Sequence, residues 1–124
     1  MKTAKQQTGE AGEEFARKWL TEKGYVIREI NWRWGRAEID IIAEKEGILI
    51  FAEVRSRKSY AFGYPEETVS EQKKKRYSSA ANAYIEQSGH QGEIRYDIIA
   101  LKIENGQITE AEHLEDAFWF IEEE

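Results

Sequence analysis

Cysteine is absent from this 124-residue chain, which excludes a disulfide framework, a thiolate metal site and a thiol nucleophile. Proline occurs once, at Pro65, and neither repeats nor low-complexity stretches interrupt the chain, so nothing marks a linker. No run of about 18 apolar residues is present to span a bilayer. The opening stretch, Met1 to Glu10, is polar and lacks the apolar centre of a signal peptide. Walker A and dinucleotide-binding glycine patterns are missing too. Histidine is scarce: His90 and His113 have no second histidine at ligand spacing, and both are expected at the surface. These absences predict one soluble, cytoplasmic domain over residues 1–124, with a flexible segment at 1–8, an acidic tail at 122–124 and no membrane partner.

What is present is core material and mixed charge. Hydrophobic residues make up 40% and aromatic residues 12% of the chain, enough for one real core at this length. The net charge of −6 opposes a protein that coats nucleic acid over its whole surface. A nucleic-acid partner therefore requires a local basic face. Two segments offer one, the run Lys73–Arg76 and the stretch Arg28 to Arg36, where three arginines sit among Trp32 and Trp34.

Periodicity predicts the order of elements. Phe15, Trp19 and Leu20 form the stripe of a helix over 11–23, stopped by Gly24. A strand over 25–30 leads into an aromatic and basic loop, Asn31 to Arg36. Strands over 39–43 and 48–54 pair as a hairpin around Glu46-Gly47. A loop over 56–65 precedes a helix capped by Ser70 and closed by Gly89, with Val69, Tyr77, Ala80, Ala81, Tyr84 and Ile85 inward. Strands over 94–103 and 108–113 and a turn or helix over 115–121 complete the chain. The α-β-β-β-α-β order implies an α/β fold with a mixed sheet and flanking helices. Apolar residues at both parities of the hairpin strands imply cover on both faces.

Two carboxylates stand out because they occupy apolar strands, Asp40 in Glu38-Ile39-Asp40-Ile41-Ile42-Ala43 and Glu53 in Phe51-Ala52-Glu53-Val54-Arg55. Alternation puts Glu53 and Arg55 on one face, and an unbulged hairpin adds Asp40 to it. A buried carboxylate needs a partner. Mg²⁺ or Mn²⁺ is one answer, since hard cations take carboxylate oxygens and keep waters for a phosphate. A purely structural network, with Arg55 forked onto both acids, is the other.

These residues resemble the PD-(D/E)xK nuclease signature. More closely, the chain resembles the YraN-like family of bacterial endonuclease-like proteins, which is related to archaeal Holliday-junction resolvases. The likeness runs through Gly12-Glu13-Glu14-Phe15-Ala16, Leu20 to Tyr25, Ala37 to Ala43, Phe51 to Arg55, Gly63-Tyr64-Pro65, Val69, Lys73, Arg76, Arg95-Tyr96-Asp97 and Asp116-Ala117-Phe118. The resemblance implies a restriction-endonuclease-like fold, with Asp40, Glu53 and Glu13 as ligands of Mg²⁺ or Mn²⁺. It further implies Glu13 as the helical glutamate of the site, Glu14 being its neighbouring rival. Two positions depart from the family: Ala37 stands where glycine is usual, and Glu53-Val54-Arg55 stands where the family has Glu-x-Lys. Arginine stays charged and prefers bidentate partners, so Arg55 can stabilise negative charge but cannot move a proton. The catalytic set implied is Glu13, Asp40, Glu53 and Arg55, in an endonuclease acting on DNA rather than RNA, on branched or flap-shaped forms. A homodimer would supply two sites for two strands. A nuclease fold that binds nucleic acid or protein without cutting stays open because of Arg55.

For nucleic-acid contact the expected residues are Arg33, Trp34, Arg36, Arg57, Lys73 and Arg76. Lys73 and Arg76, three apart, share a helix face, and an exposed tryptophan can stack on an unpaired base at about 1–3 kcal/mol. Each has a plainer reading, as a solvated helix face or as an aromatic cover for the sheet edge. Asp97 is expected to pair with a basic residue rather than to act in the site.

Overall fold

The computed structural model describes residues 4–57 and 71–117. Helix α1 (Ala4–Glu22) leads into strands β1 (Val26–Trp34), β2 (Ala37–Lys45) and β3 (Ile48–Arg57), followed by helix α2 (Glu71–Ser88) and strands β4 (Ile94–Glu104) and β5 (Gln107–Leu114). The five strands form one sheet in the order β1-β2-β3-β4-β5. All neighbours are antiparallel except β3 and β4, which run parallel. A parallel pair needs a crossover, and α2 lies between those two strands in sequence. The mixed sheet and the α-β-β-β-α-β core therefore stand as the sequence predicts.

Alternation along the central strands explains how both faces are covered. Ile50 and Ala52 point with Ile41, Ala43, Ile99 and Leu101 toward Ala16 and Leu20 of α1. Leu49 and Phe51 point with Ile42 and Tyr96 toward Tyr77, Ala80 and Ala81 of α2. Burying each of these isoleucines and leucines contributes about 1.5–3 kcal/mol, so a register slip of one residue would invert both faces.

Three boundaries differ from expectation. Helix α1 starts at Ala4 rather than Ala11, because Ala4, Lys5, Gln6 and Gln7 are good helix formers that carry the helix past its apolar stripe. Residues from Ala4 within the segment expected to be flexible are thus helical. Asn31 to Trp34 belong to β1 instead of a loop: Trp32 pairs with Ile39 and Trp34 with Ala37, leaving Gly35-Arg36 as a two-residue turn. Tryptophan suits a pleated surface, which outweighs the loop character of the glycine and arginines nearby. Strand β3 also runs on through Ser56 to Arg57 alongside β4. The expected Ser70 cap, Lys58, the Gly63-Tyr64-Pro65 turn, Val69 and the residues from Phe118 onward lie outside the described residues. No helix of the described residues is long and apolar enough to cross a membrane.

A carboxylate-lined cavity as candidate active site

The β2–β3 ladder runs from Lys45–Ile48 to Ile41–Ala52 and ends there. Continued by one rung, that register brings Asp40 level with Glu53. The strands part at this point, and the side chain of Asp40 fills the fork: its Oδ2 accepts the backbone N–H of Val54 at 2.8 Å. An aspartate here thus serves a main-chain donor that lies just past the last rung of the ladder.

Glu53 is 7% exposed and Arg55 6%. Two cations converge on one oxygen of Glu53: Arg55 Nε donates to Oε2 at 3.1 Å, and Lys73 Nζ, reaching across from α2, donates to it at 2.8 Å. The other oxygen, Oε1, is buried without a hydrogen-bond partner. Asp40 and Glu53 both line a cavity of about 350 Å³, together with Arg36, Glu38, Gln72, Lys73, Arg76 and Tyr77. Burial is the main force on Asp40. It outweighs the Val54 hydrogen bond and, helped by the nearby charges of Glu53, Glu13 and Glu38, pushes the carboxyl up to about 7. Burial likewise pushes the Tyr77 phenol well up, with Glu53 and Asp40 adding to the effect, so it remains a neutral hydroxyl on the cavity wall.

Glu13 approaches from α1. Its neighbour Gly12 explains how closely: a Cβ at Gly12 would lie 2.8 Å from Ser56 Oγ and 3.3 Å from Leu101 Cδ1. The missing side chain lets the helix lie against β3 and β4. Burial raises the Glu13 carboxyl, a hydrogen bond from the Asn31 side chain opposes this, and Glu38 and Glu10 raise it further. Asn31 sits across from Asp40 in the β1–β2 register with a left-handed φ of 53°. Asparagine tolerates that region better than most residues.

The structure therefore brings Asp40, Glu53, Lys73, Arg76 and Arg36 to one cavity, with Arg55 buried behind Glu53 and Glu13 near enough to act on Asp40. The other expected residues do not line it. Arg33 is exposed on β1 and stands 3.9 Å from Glu38. Arg57, at the end of β3, donates to the carbonyl of Ser56. Trp34 is 47% exposed, its ring stacked at 4° to that of Trp32 with centroids 6.3 Å apart. Sequence reasoning missed Asn31, whose only sign was an asparagine set inside a run of strand-forming residues. It also missed Gln72 and Tyr77 as cavity walls.

Among the described residues no three His, Cys, Asp or Glu side chains stand together as a ready metal cage. The pair Asp40 and Glu53 nevertheless fits a hard cation. One oxygen of Glu53 is buried and unbonded, and Asp40 is held from ionising mainly by burial, helped by the negative charge around it. A cation bound between them would relieve both conditions.

His113 corrects an expectation. Its side chain is only 3% exposed and stands 2.7 Å from Asp97 Oδ2, because β4 and β5 pair antiparallel and bring the end of β5 alongside Asp97. Asp97 itself pairs with Arg95, through Nε and Nη2 at 2.9 Å each, as expected.

Comparison with known proteins follows the same span of chain. Residues 12–101 match the model of "Uncharacterised protein family UPF0102", a stretch that includes Glu13, Asp40, Glu53, Arg55 and Lys73. A UPF0102 protein of Christiangramia forsetii is 40% identical over 114 residues, covering 92% of this chain and 95% of the relative. One from Flavobacterium psychrophilum is 43% identical over 111 residues, covering 90% and 92%. One from Rhodococcus jostii is 37% identical over 111 residues, covering 89% and 94%. On both grounds the chain belongs to the UPF0102 family.

Proposed function

We propose that the cavity between β2, β3 and α2 is the active site of a divalent-metal-dependent nuclease that hydrolyses phosphodiester bonds in DNA. The observation that carries this reading is the meeting of Asp40 and Glu53 with Lys73, Arg76 and Arg36 in one cavity. A phosphodiester is anionic, and three cations on the cavity wall would complement its charge. Asp40 and Glu53 would hold Mg²⁺ or Mn²⁺, with Glu13 adding charge beside them. When bound, such an ion polarises the phosphate and makes a water more acidic. In the hydrolysis a water oxygen bonds to phosphorus and the bond to the leaving sugar oxygen breaks. One proton of the water ends on that oxygen and the other in solvent. Resemblance to resolvase-like nucleases favours DNA over RNA, and a homodimer would bring two such sites to a two-stranded substrate.

A second reading has its own observation: Oε2 of Glu53 already carries both Arg55 and Lys73. That favours a module that binds nucleic acid without cutting it. The deciding experiment incubates labelled duplex, flap, four-way-junction and single-stranded DNA, and matching RNA, with Mg²⁺ or Mn²⁺. Wild type is expected to cut DNA and Asp40→Ala to lose the activity. Binding without cutting would support the second reading, and neither binding nor cutting would sink both.

A further inference from the structure

Lysine is missing from the position where the resembled nucleases carry it, yet an ammonium group is present at the same carboxylate. It comes from a different element. Lys73 extends from the first turn of α2 to within 2.8 Å of Glu53 Oε2, and its side chain is 51% exposed. Arg55 touches the same oxygen from behind, with its side chain 6% exposed. Lys73 is among the cavity-lining residues and Arg55 is not.

Resting on the nuclease reading above, we propose that Lys73 is the cation that meets the scissile phosphate, and that Arg55 is a buried counter-charge which holds Glu53 in place. Access makes the distinction. A guanidinium enclosed in the sheet cannot leave Glu53 for a substrate without stranding a buried carboxylate. An ammonium on a long, half-exposed stem can turn from Glu53 toward a phosphate in the cavity while remaining within reach of both. A divalent cation held by Asp40 and Glu53 would partly cancel the negative charge that holds Lys73 against Glu53. The task of the ammonium is to donate hydrogen bonds to a non-bridging phosphate oxygen as negative charge builds during attack. It gives up no proton, so the hydrolysis balances as written above. The glutamate-and-cation pair of the signature is thereby assembled from β3 and α2 instead of β3 alone.

The test compares wild type, Lys73→Gln, Lys73→Arg and Arg55→Lys in two assays, after circular dichroism has confirmed that each is folded. Cleavage is followed at saturating DNA with Mn²⁺. DNA affinity is followed by fluorescence anisotropy in Ca²⁺ over a range of salt. Lys73→Gln is expected to lower kcat by about 100-fold or more, as removal of one transition-state donor does. It should also reduce the slope of log affinity against log salt by about 0.9, one phosphate contact. Lys73→Arg should retain part of kcat, and Arg55→Lys, whose buried cation meets no phosphate, should leave the salt slope close to wild type. Cleavage by Lys73→Gln at the wild-type rate overturns the inference and leaves the proposed function standing, even if the salt slope falls. A wild type that cuts nothing overturns both.

Discussion

Asp40 and Asp97 are two aspartates set in apolar strands of the same sheet, and their surroundings treat them in opposite ways. Asp97 is 1% exposed and well supplied with donors. Arg95 reaches both its oxygens, His113 lies against Oδ2, and the backbone N–H of Asp116 donates to Oδ1 at 2.9 Å. Burial alone would raise its pKa, but hydrogen bonds from His113, Arg95 and Asp116 outweigh burial and hold it below the usual carboxylate range. Asp40 has the Val54 N–H, and burial, helped by three neighbouring glutamates, pushes it up to about 7. A carboxylate saturated with donors is a structural anchor. One that is buried, short of donors and crowded by like charge has the character that the proposed metal site requires.

If this contrast is correct, truncating the two residues should give different results. Asp97→Ala leaves Arg95 without its buried partner and removes the contact that ties Asp116, beyond β5, to β4. A loss of about 3–5 kcal/mol is expected, as for other broken buried pairs, read from urea denaturation at pH 7. Asp40→Asn keeps the side chain's shape while removing the like-charge repulsion, and should leave stability unchanged or raise it. A larger loss for Asp40→Asn than for Asp97→Ala would break the comparison.

The pH dependence of stability should divide the same way. Asp40 has a folded pKa of about 7, above the unfolded value of about 3.9. Between these two the folded state binds the extra proton, so metal-free protein loses stability as pH rises through the window. The slope from one group is at most about 1.4 kcal/mol per pH unit. For Asp97 the folded pKa lies below the unfolded one, so its contribution is present above about pH 4 and is lost as pH falls through the folded value. Denaturation of wild type and Asp40→Asn between pH 4 and 8 without divalent metal checks this. The variant should lack the decline toward neutral pH, and parallel profiles would mean that Asp40 titrates normally.

How much of this was legible in the sequence depended on how local the cause was. Asp40 and Glu53 announced themselves because a charge inside an apolar strand is anomalous over a few residues, and the Glu46-Gly47 turn sets the register that aligns them. The stripe of α2, with Tyr77, Ala80 and Ala81 inward, follows from spacing alone. Contacts made across elements did not show. Lys73 lies twenty residues from Glu53 in the chain, and only the packing of α2 on the sheet decides that its ammonium reaches that carboxylate. Arg55 was placed correctly beside Glu53, but its burial depends on both faces of the sheet being covered. His113 was expected at the surface because its partners, Asp97 sixteen residues away and Lys23 ninety away, come together only through strand pairing and the end of α1. Asn31 was hidden for a different reason: its role depends on a left-handed backbone, which side-chain periodicity does not encode.

The smallest expected effect sharpens what counts as saturation. Lys23 Nζ is hydrogen-bonded to His113 Nδ1 and also lies 4.8 Å from the centroid of the Trp19 ring. With that ammonium donating to Nδ1, the proton of a neutral imidazole sits on Nε2 and is given to Asp97. Lys23→Met removes the outer donor but keeps the apolar stem, so His113 can still donate to Asp97 and nothing is stranded in the core. The expected loss is about 0.5–1.5 kcal/mol, the net value of one hydrogen bond, by urea denaturation at pH 7, with DNA cleavage unchanged. A loss as large as that from Asp97→Ala would mean that the lysine, through its hold on the histidine tautomer, sustains the whole network. Asp97 would then owe its low pKa to a chain of three residues, and abundant direct donors would no longer suffice to separate a structural carboxylate from a functional one.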